Sequence, residues 1–160
     1  MAISTISISD IASINNFLET TFTNKIKINV NNTQSTNTLH HGKRILGNTL
    51  ITPLPVTINR GEEGTVESKS IILKACGMVI YEIDNKRKGN LPLLLIIGWE
   101  VSIIEKNKWF VFVGCEADPN FPDERSINKH LKEYGNTGTN TLDFKEHSIS
   151  MNIDGSISDG

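Results

Sequence analysis

A chain of 160 residues is the size of one compact domain. Its 16 Lys and Arg nearly cancel its 18 Asp and Glu, and the formal charge of −2 excludes the basic footprint of a nucleic-acid binder. With 22 Ile, 17 Asn, 14 Thr and 13 Ser the composition favours strands and polar turns over long helices, and no apolar run approaches the ~18 residues of a membrane span.

The first element covers residues 9–23. At about 100° per residue, Ile11, Ile14, Phe17, Leu18 and Phe22 fall within an arc of roughly 140°, with Ala12, Asn15, Asn16 and Glu19 outside it. That pattern predicts an amphipathic helix capped by Ser9 or Asp10, packed on a sheet in the resting state. Extended back to Ile3, such a helix is about 30 Å long, enough for a hydrocarbon core of ~30 Å. The stretch from Met1 to Ile6 lacks the basic start and solid apolar run of a signal peptide, which predicts a soluble protein, cytoplasmic or released by an unconventional route.

The period then changes to two. Lys25 to Asn32 alternates strictly, placing Ile26, Ile28 and Val30 on one face of a strand. Leu54, Val56 and Ile58 alternate next, with Pro53 and Pro55 confining that segment to an edge or a strand start. Arg60 to Gly64 reads as a turn, residues 65–83 as strand material broken at Gly77, and Asp84 to Asn90 as an exposed hairpin loop. Leu91 to Val101 is too apolar to have only one buried face, which places it in a two-sheet core. A polar turn, Glu105 to Lys108, leads into the strand from Trp109 to Val113.

A second helix is predicted near residues 123–134. Pro122, Asp123 and Glu124 open it, Ile127, Leu131 and Tyr134 mark its apolar side, and Gly135 ends it. The tail alternates again through Leu142, Phe144, Ile149, Met151 and Ile153. The whole reads as a mainly β chain: one β-sandwich domain over residues 1–160, of about ten strands with two short peripheral α-helices. Residues 1–23 form the helical segment and 24–160 the sandwich.

Nothing in the sequence has the pattern of an enzyme. Gly-x-Ser-x-Gly, Gly-rich phosphate loops and Gly-x-Gly-x-x-Gly do not occur, and Glu62-Glu63 between Gly61 and Gly64 reads as a solvated hairpin tip. Cys76 and Cys115 both lie in strand contexts that predict buried, unbridged thiols. His40 and His41 are adjacent, which on a strand sends them to opposite faces and on a loop suits no common ligand spacing. Without His-x-x-x-His or Cys-x-x-Cys, neither a metal site nor a cofactor is expected.

The order of helix, strands, short helix and strands resembles the actinoporins, the pore-forming cytolysins of sea anemones, and their wider superfamily of fungal fruit-body lectins. The segments that carry the resemblance are the N-terminal helix running into Lys25-Ile26-Lys27-Ile28-Asn29-Val30 and the strand Ala75-Cys76-Gly77-Met78-Val79-Ile80-Tyr81. They continue with Leu93 to Ile97, then Asn107-Lys108-Trp109-Phe110-Val111, and finally Asp123 to Tyr134. The resemblance implies a β-sandwich that binds lipid headgroups through one end, oligomerises on the membrane and inserts the N-terminal helix through Ile11, Ile14, Phe17, Leu18 and Phe22. The lectin members imply the alternative of a carbohydrate-binding module with the same sandwich and no pore. Headgroup or ligand binding is assigned to Trp99, Trp109, His130 and Tyr134. The two tryptophans divide between a core reading and an anchor at a wet–dry boundary. The family's tandem tyrosines are reduced here to Tyr134, with His130 one turn earlier.

Overall fold

The computed structural model describes residues 24–33, 37–46, 50, 53–70, 74–102, 104–137, 140–144 and 151–158. The expected N-terminal helix, with Ile11, Ile14, Phe17, Leu18 and Phe22, lies outside the described residues. Among the described residues eight strands form: β1 Asn24–Asn31, β2 Leu39–Leu46, β3 Glu63–Ser70, β4 Lys74–Lys88, β5 Leu91–Ser102, β6 Lys108–Gly114, β7 Asn140–Phe144 and β8 Met151–Ser158. Strand β2 is not expected from the sequence, and the alternating segment Leu54 to Ile58 forms no strand of its own, Ile58 making only an isolated bridge to Leu39. One helix, α1, spans Ile127–Tyr134 among the described residues. The protein is mainly β, as its composition requires.

The strands make two four-stranded antiparallel sheets, ordered β3-β1-β8-β7 and β2-β4-β5-β6. Ile26, Ile28 and Val30 of β1 and Val66 of β3 join Val79, Tyr81 and Ile83 of β4 and Leu93, Leu95, Ile97, Trp99 and Val101 of β5 in one buried cluster. The alternating set on the other face of the second sheet, Met78, Leu94, Ile96 and Phe110, packs against Ile127 and Leu131 of α1. Strand β5 is therefore covered on both sides, which is why its burial is continuous and its sequence almost wholly apolar.

Several local expectations are corrected. Gly77 does not break a strand. It lies inside β4 opposite Trp99, where a Cβ would overlap Cζ2 and Cε2 of the indole. The loop expected at 84–90 is strand up to Lys88, and the hairpin turns at Gly89 and Asn90, where Gly89 takes φ 64°. A register shift between Glu82 and Arg87, with Asn85 at φ 56°, absorbs the extra length. Helix α1 begins four residues later than Asp123, because Asp123 closes a separate turn. Its carboxylate accepts from the N–H groups of Arg125 (2.9 Å) and Ser126 (2.8 Å), and its own N–H donates to Ser126 Oγ at 2.9 Å. Cys76 and Cys115 are free thiols; Cys115 is buried as expected, but Cys76 is only half-buried.

Candidate functional site

Helix α1 sets Ile127, His130, Leu131 and Tyr134 on one stripe by the i, i+3, i+4 spacing. Ile127 and Leu131 anchor the stripe on the second sheet, which holds His130 over β6. The imidazole lies 4.4 Å from the ring of Phe110, 6.0 Å from Phe112 and 4.7 Å from Tyr134, centroid to centroid. Burial among these rings lowers its pKa below the usual 6.5, and Glu133 opposes that shift. Tyr134 ends the stripe and projects outward with 53% of its surface exposed.

Beside this stripe runs a shallow, half-open groove of about 80 Å³, lined by Pro119, Asn120, Phe121, Ser126, Lys129, His130, Glu133 and Tyr134. Its far wall is the turn after β6, fixed by several bonds. Asp118 Oδ2 accepts from Cys115 N–H at 2.8 Å, Phe121 N–H donates to Asp118 O at 3.1 Å, and Lys88 pairs with the Asp118 carboxylate. The groove offers one exposed phenol ring, a cation, a carboxylate, an amide and a hydroxyl. That set suits a small polar ligand with one flat or cationic face.

The strand pairing extends this region. Trp109 and Asn136 exchange both backbone hydrogen bonds, at 3.0 and 2.6 Å, tying the start of β6 to the chain just beyond α1. The β5–β6 connection and the C-terminal end of α1 consequently share one end of the molecule. Among the described residues the exposed large hydrophobic side chains are Ile104 (75%), Val56 (61%) and Tyr134 (53%), and two of the three stand at that end. The exposed charges adjacent to them in sequence, Glu105 and Lys106 beside Ile104 and Lys132 and Glu133 beside Tyr134, cancel pairwise.

His130 and Tyr134 are thus brought together in ring contact. Trp99 and Trp109 are not part of it. Both are fully buried, paired across β5 and β6 between the two sheets, and the anchor reading is corrected to the core reading. Sequence parity carried that signal, since Trp99 falls in phase with Leu93, Leu95, Ile97 and Val101. Ile104 and the groove residues Phe121, Lys129 and Glu133 were not singled out. An exposed isoleucine in a polar turn was the available signal for the first.

A second cluster lies on β2 and β4. His41 takes φ 53°, and the β2–β4 register shifts between His40 and Lys43, so the two histidines do not point to opposite faces. Their rings stand 4.3 Å apart and both reach Glu82: His41 Nδ1–H donates to Oε2 at 2.9 Å, and His40 Nε2 is 3.8 Å from the same oxygen. The hydrogen bond from His41 holds the Glu82 carboxyl below the usual carboxylate range, with His40 and Lys43 adding to the effect.

No protein-family model, curated protein or solved structure matches this chain. None of the helices among the described residues is long and apolar enough to cross a membrane.

Proposed function

We propose that the protein is a lipid-surface binder that docks through the end carrying Ile104 and Tyr134 and then permeabilises the bilayer with its N-terminal segment. The observation that carries this reading is that Ile104 and Tyr134, both exposed, lie within five residues along the chain of the Trp109–Asn136 pair that ties their segments together. An exposed isoleucine at the tip of a turn gains free energy by entering the interface, at about 1.5–3 kcal/mol for full burial. The balanced charges around it favour a zwitterionic over a strongly anionic surface. In the adjacent groove, Tyr134 offers its ring to a headgroup cation, with Glu133 as counter-charge and Lys129 for a phosphate.

The amphipathic pattern of residues 3–23 supports the second step. Its apolar arc suits lipid and its polar face suits an aqueous lumen, so several copies satisfy both faces where one satisfies neither. The test is dye release from phosphatidylcholine vesicles by the full chain and by Ile14→Asp. Release by the wild type, lost in the variant while vesicle binding is kept, is the expected result. Equal release by both rejects the inserting role of the segment.

The polar lining of the groove favours a second reading, a sugar-binding module in which Tyr134 stacks on a pyranose and Asn120, Ser126 and Glu133 take its hydroxyls. Binding to a glycan array without affinity for any vesicle would select it.

A further inference from the structure

The histidine pair on β2 has an arrangement that a solvated strand face does not require. Adjacent residues of a regular strand point to opposite sides, yet the left-handed conformation at His41 turns its ring onto the carboxylate that His40 also faces. The backbone around this bulge is held on both edges. Leu39 exchanges hydrogen bonds with Ile58 at 2.9 and 2.8 Å while pairing with Ile83 on the other side, and Gly42 N–H donates to Val56 O at 2.8 Å. Gly42 admits no side chain, because a Cβ there would overlap the Tyr81 ring and stand 2.7 Å from Pro55 O. That ring is itself fixed by the bond from its hydroxyl to Pro55 O at 2.5 Å. On the β4 side, Asp84 N–H donates to Thr38 O at 2.9 Å.

We propose that His40, His41 and Glu82, completed by Asp84, form a binding site for a divalent transition-metal ion of the zinc type. One ligand atom from each of His40, His41 and Glu82 lies within 4.8 Å of the others. A tetrahedral ion with bonds of about 2.0–2.1 Å needs neighbouring ligand atoms roughly 3.3 Å apart. The observed separations bracket that value: 2.9 Å from His41 Nδ1 to Glu82, 3.8 Å from His40 Nε2 to Glu82, and 3.9 Å from His40 Nε2 to Asp84 Oδ1. Small side-chain rotations therefore close the site without moving the clamped backbone. Two imidazoles and two carboxylates form a donor set suited to borderline divalent ions, and their two negative charges neutralise one such ion. On coordination the His41 ring carries its proton on Nε2, and the ion replaces the Nδ1–H bond to Glu82. Lys43, whose charge acts on Glu82, opposes the ion, while the His41 ring, 70% exposed, is open to solvent for entry.

The test is calorimetric titration of the full chain with Zn²⁺ after chelator treatment, in parallel with His41→Ala, Glu82→Gln and Cys76→Ser. One ion per wild-type chain is expected, with binding weakened about tenfold or more in His41→Ala and Glu82→Gln. Cys76→Ser, which removes a competing soft ligand, should leave affinity and stoichiometry unchanged. Far-UV circular dichroism of each variant shows that the sheets persist, and Co²⁺ should give the visible absorption of a tetrahedral ion in the wild type and in Cys76→Ser but not in His41→Ala or Glu82→Gln. No heat of binding in the wild type, or equal affinity in His41→Ala and Glu82→Gln, overturns the proposal.

Discussion

The indole of Trp99 fills the space that a side chain at residue 77 would need: a Cβ on Gly77 would overlap Cζ2 and Cε2 of that ring. The two residues are partners across β4 and β5, and both sit in the core shared by the sheets. Gly77→Ala should therefore cost about 1–3 kcal/mol by overpacking. Trp99→Ala, which opens a cavity, should cost about 3–5 kcal/mol. Urea unfolding monitored by circular dichroism measures both, and the midpoint should fall with the slope unchanged.

Because Trp99 and Trp109 are both buried, tryptophan emission should be blue-shifted and poorly quenched by iodide in the native protein. Adding vesicles should leave the emission maximum unmoved while the two sheets stay folded. A shift on vesicle binding would return the tryptophans to the surface and contradict the core assignment.

Acid should loosen the structure in two separable windows. His130 has its pKa lowered by burial among Phe110, Phe112 and Tyr134, so the unfolded chain binds a proton there first. Its contribution is complete above the unfolded value of 6.5 and is lost as pH falls through the folded value. His130→Phe should flatten the stability profile between pH 7 and 5. Histidine NMR titration checks the direction: His130 should titrate below 6.5.

The lower window belongs to Asp118 and Asp123. Lys88 and the Cys115 N–H hold Asp118 below the usual range, and Ser126 and Arg125 N–H groups do the same for Asp123. These contributions are present above the ordinary aspartate pKa of 3.8 and vanish as pH falls through the depressed folded values. Asp118→Asn should lower the urea midpoint at pH 7, and the difference from wild type should shrink at pH 2.

Much of the fold was legible because period-2 alternation survives into structure. Ile26, Ile28 and Val30 all face the core, and the unbroken apolar run of β5 correctly announces two covered faces. The site was less legible. Burial parity places Trp99 and Trp109 inward, but tryptophan's amphipathic character argues equally for a boundary, and only the packing on Gly77 separates the two. The His40–His41 pair was misread because a single left-handed residue reverses the facing of everything after it, and an Leu-His-His-Gly sequence does not announce φ 53° at its second histidine. The ring contact between His130 and Tyr134 was legible, because helical spacing fixes their relation whatever the sheet beneath does.

The central claim is that the Ile104–Tyr134 end docks on lipid, and co-sedimentation with phosphatidylcholine vesicles tests it most directly. The wild type should pellet with the vesicles, with little dependence on salt because the surrounding charges balance. Ile104→Glu combined with Tyr134→Ala should weaken association about tenfold or more, the equivalent of losing one buried apolar side chain. Val56→Glu, at the exposed hydrophobic position beside the β2 bulge, should bind as the wild type does. If the wild type fails to pellet with any vesicle, or if Val56→Glu weakens association as much as the double variant, the docking end has been wrongly assigned.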